Sequence, residues 1–209
     1  PDAWLSYLVN GDGHGTYERT GNLVDHLDGT YTYTFKNDVT LNADWDTNAT
    51  TRLAIQLSGS ANGVSLPAYQ TTRDIIPATG VDAVSSRVIV SDANCNSCHS
   101  KLELHGSRYN TEYCVMCHNV YGPDPDAGSI DMAVMVHGIH SAGKRAADAA
   151  PPFVFAGIDY SDKTYPQAEN LCKRCHDAAD TETPQGGNWA TRPSMAACSS
   201  CHATVDFST

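Results

Sequence analysis

Four copies of one pentapeptide carry the chemistry of this chain: CNSCH from Cys95 to His99, CVMCH from Cys114 to His118, CKRCH from Cys172 to His176 and CSSCH from Cys198 to His202. All eight cysteines lie in these units, as the pairs Cys95/Cys98, Cys114/Cys117, Cys172/Cys175 and Cys198/Cys201. A structural disulfide framework would spread its cysteines, because neighbours in Cys-x-x-Cys rarely reach relaxed bridge geometry. Two four-cysteine zinc sites would use the pairs but give histidine no reason to follow each of them. Covalent haem c explains every position: two thioethers to the porphyrin and an imidazole on the iron. The expectation is four c-type haems, with His99, His118, His176 and His202 as proximal ligands.

Each iron then needs a sixth ligand. Five of the nine histidines remain: His14, His26, His105, His137 and His140. Axial methionine would raise the potential, but Met116 sits inside a motif, and Met132 and Met135 read as apolar packing along a short helix. Bis-histidine ligation is therefore expected. His105 precedes Gly106, which lets the backbone pass close to a porphyrin. His137 and His140 are three apart in MVHGIHSAGKR, so they share a helical face and are expected to serve two different haems. That makes three distal ligands for four irons. His14, flanked by Gly13 and Gly15, and His26, in LVDHLDGTY, are the candidates for the fourth. His14 is preferred because its glycines let it approach a haem of a neighbouring molecule. For each of them an ordinary exposed loop histidine is the competing reading.

The elements that must position these ligands fall into two regions, 1–92 and 93–209. From Cys95 to His202 there are 108 residues, rich in Asn, Ser, Asp, Gly and Pro. Such a segment cannot bury enough aliphatic surface to offset its ordering entropy, so porphyrin faces must supply the core. Short helices and irregular loops wrapped around closely packed haems are expected. Upstream, GTYTYTFK alternates Tyr31, Tyr33 and Phe35 with Thr32, Thr34 and Lys36, which is strand periodicity, after a turn signal at Asp28-Gly29. WLSYLV, TRLAIQLSG and SRVIVS read as further strands of a small β-sandwich-like domain.

Composition excludes several classes. The 209 residues carry a formal charge of −11, which argues against nucleic acid. Mean hydropathy is −0.36, and no apolar run approaches membrane-spanning length. No signal peptide or lipid-attachment cysteine opens the chain, so a mature, trimmed or excised N-terminus is expected. GPDPDAGSID, with Asp124, Asp126 and Asp131, could offer oxygen ligands to calcium but lacks the spacing of a known calcium loop. Lys144 and Arg145 are candidates for haem propionate contacts, with solvent exposure as the alternative.

The runs IVSDANCNSCHSKLELHGSRYNTEYCVMCHN, SIDMAVMVHGIHSAGKR and NWATRPSMAACSSCHATVDFST resemble the OmcA/MtrC family of outer-membrane multihaem cytochromes. WLSYL, GNLVDHLDGTYTYTF and RLAIQLSG resemble the β-domain that precedes the first haem module there. The resemblance implies bis-histidine haems and electron transfer at or beyond the outer membrane, to metal oxides or partner cytochromes. Family members carry ten or more haems in two five-haem modules, whereas this chain stops at four. It is thus either a fragment of a larger decahaem cytochrome or a small cytochrome completed otherwise. If a neighbouring molecule donates the missing ligand, it resembles a subunit of an extracellular cytochrome filament. An electron-transfer protein is expected rather than a substrate-specific enzyme. The alternative is a multihaem reductase with one five-coordinate haem.

Overall fold

The computed structural model describes residues 3–83, 87–120, 129–168 and 170–207. The N-terminal region holds two separate antiparallel sheets. A hairpin pairs β1 (Asn22–Asp25) with β2 (Tyr31–Thr34), Leu23 opposite Tyr33. A three-stranded sheet then runs in the order β3 (Thr51–Ala61), β4 (Val64–Ile76), β5 (Val81–Asp82). Asn62 and Gly63 join β3 to β4 with φ of 51° and 78°, the left-handed pair that a two-residue hairpin turn demands.

The larger sheet is polar on the side that packs and apolar on the side that does not. Arg52 and Gln70 are buried, while Leu53, Ile55, Leu57 and Tyr69 on the alternate face are exposed. The polar face grips the segment between the first two haem motifs. Arg52 bonds both oxygens of Asp74 at 2.7 Å, donates to the Glu112 carbonyl at 3.2 Å and lies 4.5 Å over the Trp4 ring. Gln70 donates to the Ser107 carbonyl and accepts from the Tyr109 and Asn110 amides. Arg108 reaches back to Gln56. Fixed hydrogen bonds therefore set how the sheet sits on this segment.

Beyond residue 90 the elements are short, and most begin at a side-chain cap. Ser91 caps α1 (Asp92–Asn96), Asn110 caps α2 (Thr111–Cys114) and Ser194 caps α5 (Met195–Cys201). The third motif opens on a 3-10 turn, Cys172–Arg174, and α4 spans Asn188–Thr191. Between them lies α3 (Met132–Ala147), whose Asp131 cap accepts from the Ala133 and Val134 amides. A two-stranded β6 (Val154–Phe155) and β7 (Ile158–Asp159) follows it. Among the described residues, only Tyr113, Ala142 and Phe153 are buried apolar side chains.

Two expected strands are not strands. In Trp4–Val9 only Val9 makes a bridge, to Gly15. Of SRVIVS, Ser86 lies outside the described residues, and Arg87–Val90 is irregular: the Val88 amide donates to the Gln185 side-chain oxygen and the Val88 carbonyl accepts from the Gln185 amide. The long strand β4 was not among the strands expected from the sequence.

Candidate haem centres

Each motif closes one turn in the same way. The histidine amide donates to the carbonyl of the first cysteine: His99 to Cys95 at 3.1 Å, His118 to Cys114 at 3.0 Å, His176 to Cys172 at 2.9 Å and His202 to Cys198 at 2.9 Å. One turn thereby carries two thiols and an imidazole, the donor set a haem c requires. All eight cysteines are free thiols, and burial pushes those of Cys95 and Cys114 up to about 11. The residues fit haem c.

Three motif histidines face a second imidazole. His140 stands 6.1 Å from His99, His105 5.9 Å from His118 and His137 6.0 Å from His176, measured between ring centroids. Two imidazoles that share a metal each bind at about 2 Å, and the ring radii bring their centroids to about 6 Å. The ring planes cross at 82°, 29° and 39°.

Local bonds orient several of these rings. His118 Nδ1 meets the Ile130 carbonyl at 3.0 Å and His140 Nδ1 the Val136 carbonyl at 2.8 Å, leaving Nε2 to face the partner. Burial lowers the pKa of His118, His137 and His176, which keeps each imidazole neutral and able to ligate. Tyr165 adds an edge contact to His140 at 5.5 Å. Its position in TYPQ gave no hint of this contact.

The motifs also touch one another. Asp92, at the start of α1, accepts from the Thr111 amide at 2.7 Å and from Asn110, tying α1, which leads into the first motif, to α2, which leads into the second. Asn94 donates to the Cys175 carbonyl at 3.0 Å, binding the first to the third. The fourth meets α3: Cys201 Sγ lies 3.9 Å from the His137 carbonyl, and Ser141 donates to the Ser200 carbonyl at 3.1 Å.

The other candidates are dispersed. His202 has the Phe207 ring at 6.3 Å and no imidazole partner among the described residues. His14 sits in a loop pressed onto the second motif. Ser6 donates to the Met116 carbonyl there, Asn119 donates to Ser6, and a Cβ on Gly15 would lie 2.8 Å from the Cys117 Cα. His26 projects from the β1–β2 hairpin and bonds Thr32 Oγ1 at 2.9 Å. Lys144 pairs with Asp148, and Arg145 donates to the Pro151 and Ser200 carbonyls. Asp124 and Asp126 lie outside the described residues, and Asp131 serves as the α3 cap. Among the described residues, no group of three or more His, Cys, Asp or Glu could hold a metal ion by itself, and no helix is long and apolar enough to cross a membrane.

Residues 87–209 match the family described as outer membrane cytochrome MtrC/MtrF-like, domains II/IV. The multiheme cytochrome MtrC of Shewanella baltica (strain OS185) is 31% identical over 198 residues, covering 90% of this chain and 26% of that protein. The crystal structure of the outer membrane decaheme cytochrome OmcA superposes with a TM-score of 0.71 at 31% identity, covering 86% of this chain and 28% of the other. That of MtrC from Shewanella baltica OS185 gives 0.69 at 30%, covering 90% and 28%. The chain thus spans about a quarter of the length of these relatives, and it belongs to the OmcA/MtrC family of outer-membrane multihaem cytochromes.

Proposed function

We propose that the chain passes single electrons through four covalently attached haems to acceptors outside the cell: metal oxides, partner cytochromes or neighbouring subunits. The observation that carries this is the set of three facing histidine pairs at 5.9–6.1 Å. In this reading Cys95, Cys98, Cys114, Cys117, Cys172, Cys175, Cys198 and Cys201 bind the porphyrins. The iron pairs are His99/His140, His118/His105 and His176/His137, with His202 proximal on the fourth. Haem supplies the one-electron redox couple; the protein sets ligation, spacing and burial.

The contacts among motifs support a haem order of second, first, third, fourth, which differs from sequence order. The two antiparallel sheets of the N-terminal region support a β-strand domain over 1–92 ahead of the haem region 93–209. Location at the outer-membrane surface follows from the family. A polymeric form would take the fourth iron's second imidazole from a neighbouring copy. His14 suits that role better than His26, because its loop is clamped and its Nδ1 is buried, whereas His26 is bonded to Thr32. Fibres in electron micrographs of the wild type that vanish on His14→Ala would support it; fibres persisting in that variant would reject His14.

The test of the conduit is reoxidation of the fully reduced protein by ferric oxide. Release of four electrons per chain supports it. Release of fewer, or none without an added mediator, contradicts it.

A further inference from the structure

We propose that Tyr165 is a positioning residue: it holds the His140 ring across the plane of the His99 ring and so sets the electronic state of one iron. This rests on the reading that His99 and His140 share that iron. The three facing pairs differ in the angle between their ring planes. It is 82° for His99/His140, against 29° for His118/His105 and 39° for His176/His137.

The contacts of His140 account for its orientation. Its Nδ1 meets the Val136 carbonyl at 2.8 Å, one turn back on α3, and the Tyr165 ring stands at 88° to it with centroids 5.5 Å apart. Such perpendicular contacts set the positive edge of one ring on the negative face of the other. A bond along the helix and a ring from a separate segment together leave the imidazole little freedom to turn about an iron bond. Tyr165 is itself placed by α3. A Cβ on Gly143 would run into the Lys163 carbonyl, so glycine there lets the 163–164 backbone lie against the helix. Pro166 then restricts the Tyr165 backbone to extended conformations.

The plane angle matters because each imidazole donates π density to the iron d orbital that lies across its ring. Parallel rings raise one such orbital above the other, whereas crossed rings raise both alike. The ferric hole is then confined to one direction at the second and third irons and shared between two at the first. The first motif has neighbours on two sides, through Asp92 to α2 and through Asn94 to Cys175. A hole open to both directions suits that junction, and the protein sets it by orienting a ligand.

Electron paramagnetic resonance of the ferric, haem-loaded 209-residue chain tests this. Crossed rings give a strongly anisotropic low-spin signal with one large g value, and near-parallel rings give a rhombic set of three. The wild type should show both kinds, and His140→Ala should remove the large-g signal. Loss of a rhombic signal instead would overturn the proposal but keep the pair; loss of no low-spin signal would overturn the pair itself. Tyr165→Ala should turn the large-g signal rhombic, with the original rhombic signals unchanged as the check on folding. Tyr165→Phe, which keeps the ring, should retain the large-g signal. Its persistence in Tyr165→Ala, or its loss in Tyr165→Phe, would overturn the role of the Tyr165 ring.

Discussion

His137 and His140 lie one turn apart on α3 and face different partners, His176 at 6.0 Å and His99 at 6.1 Å. Three residues advance about 4.5 Å along a helix. A single rigid element thus sets the spacing of two proposed irons, and the packing of Ser141 onto Ser200 draws the fourth motif to the same helix. Movement of α3 would disturb three centres together.

Replacing His105, His137 or His140 singly by Ala should convert one low-spin haem to high-spin, and His137→Ala/His140→Ala should convert two. Electron paramagnetic resonance of the ferric protein counts them. His137→Met should raise the midpoint potential of one centre and leave the others near their original values. One converted haem in the double variant would mean that one of the two histidines is not an iron ligand.

Gly138 lies between these two histidines, with the buried Phe153 ring where its Cβ would be. Gly138→Ala should cost about 1–3 kcal/mol by overpacking. Adding Phe153→Leu should recover part of that loss, seen as a coupling energy in a denaturant double-mutant cycle. Additive losses would indicate that the ring does not press on the helix.

The Arg52 side chain is 1% exposed, and Asp74 is its bidentate partner. Asp74→Ala should cost about 3 kcal/mol, because it removes the bidentate partner of a buried cation. Arg52→Met/Asp74→Leu should cost less than Asp74→Ala, since no charge is stranded. Urea melts of the three proteins test this order.

Burial holds His118, His137 and His176 below their ordinary pKa of 6.5. The unfolded chain then binds more protons than the folded one as pH drops through 6.5, so stability is full above that value and declines below it. Iron ligation adds to the effect, because a proton and the metal compete for the same imidazole. The urea midpoint of the loaded protein should fall between pH 7.5 and 5.5; an unchanged midpoint would contradict neutral buried ligands.

The haem motifs and the helix bearing His137 and His140 were legible because short-range spacing defines both. Pairing was not, since it depends on contacts such as Asn94 to Cys175 that join distant parts of the chain. Strand β4 was hidden by Pro67 and a polar run, although the Asn62-Gly63 turn marks its start. Trp4–Val9 and Arg87–Val90 have strand-like composition, but their backbones are not paired into a sheet. Phe207 beside His202 carried no signal, because a lone aromatic near a chain end has no pattern to read.

Near-infrared magnetic circular dichroism of the ferric protein tests the ligation most directly, since histidine–histidine, histidine–methionine and high-spin irons absorb differently. At least three irons per chain should show the bis-histidine signature. A histidine–methionine band, or fewer than three bis-histidine irons, would contradict the pairing on which electron passage is argued.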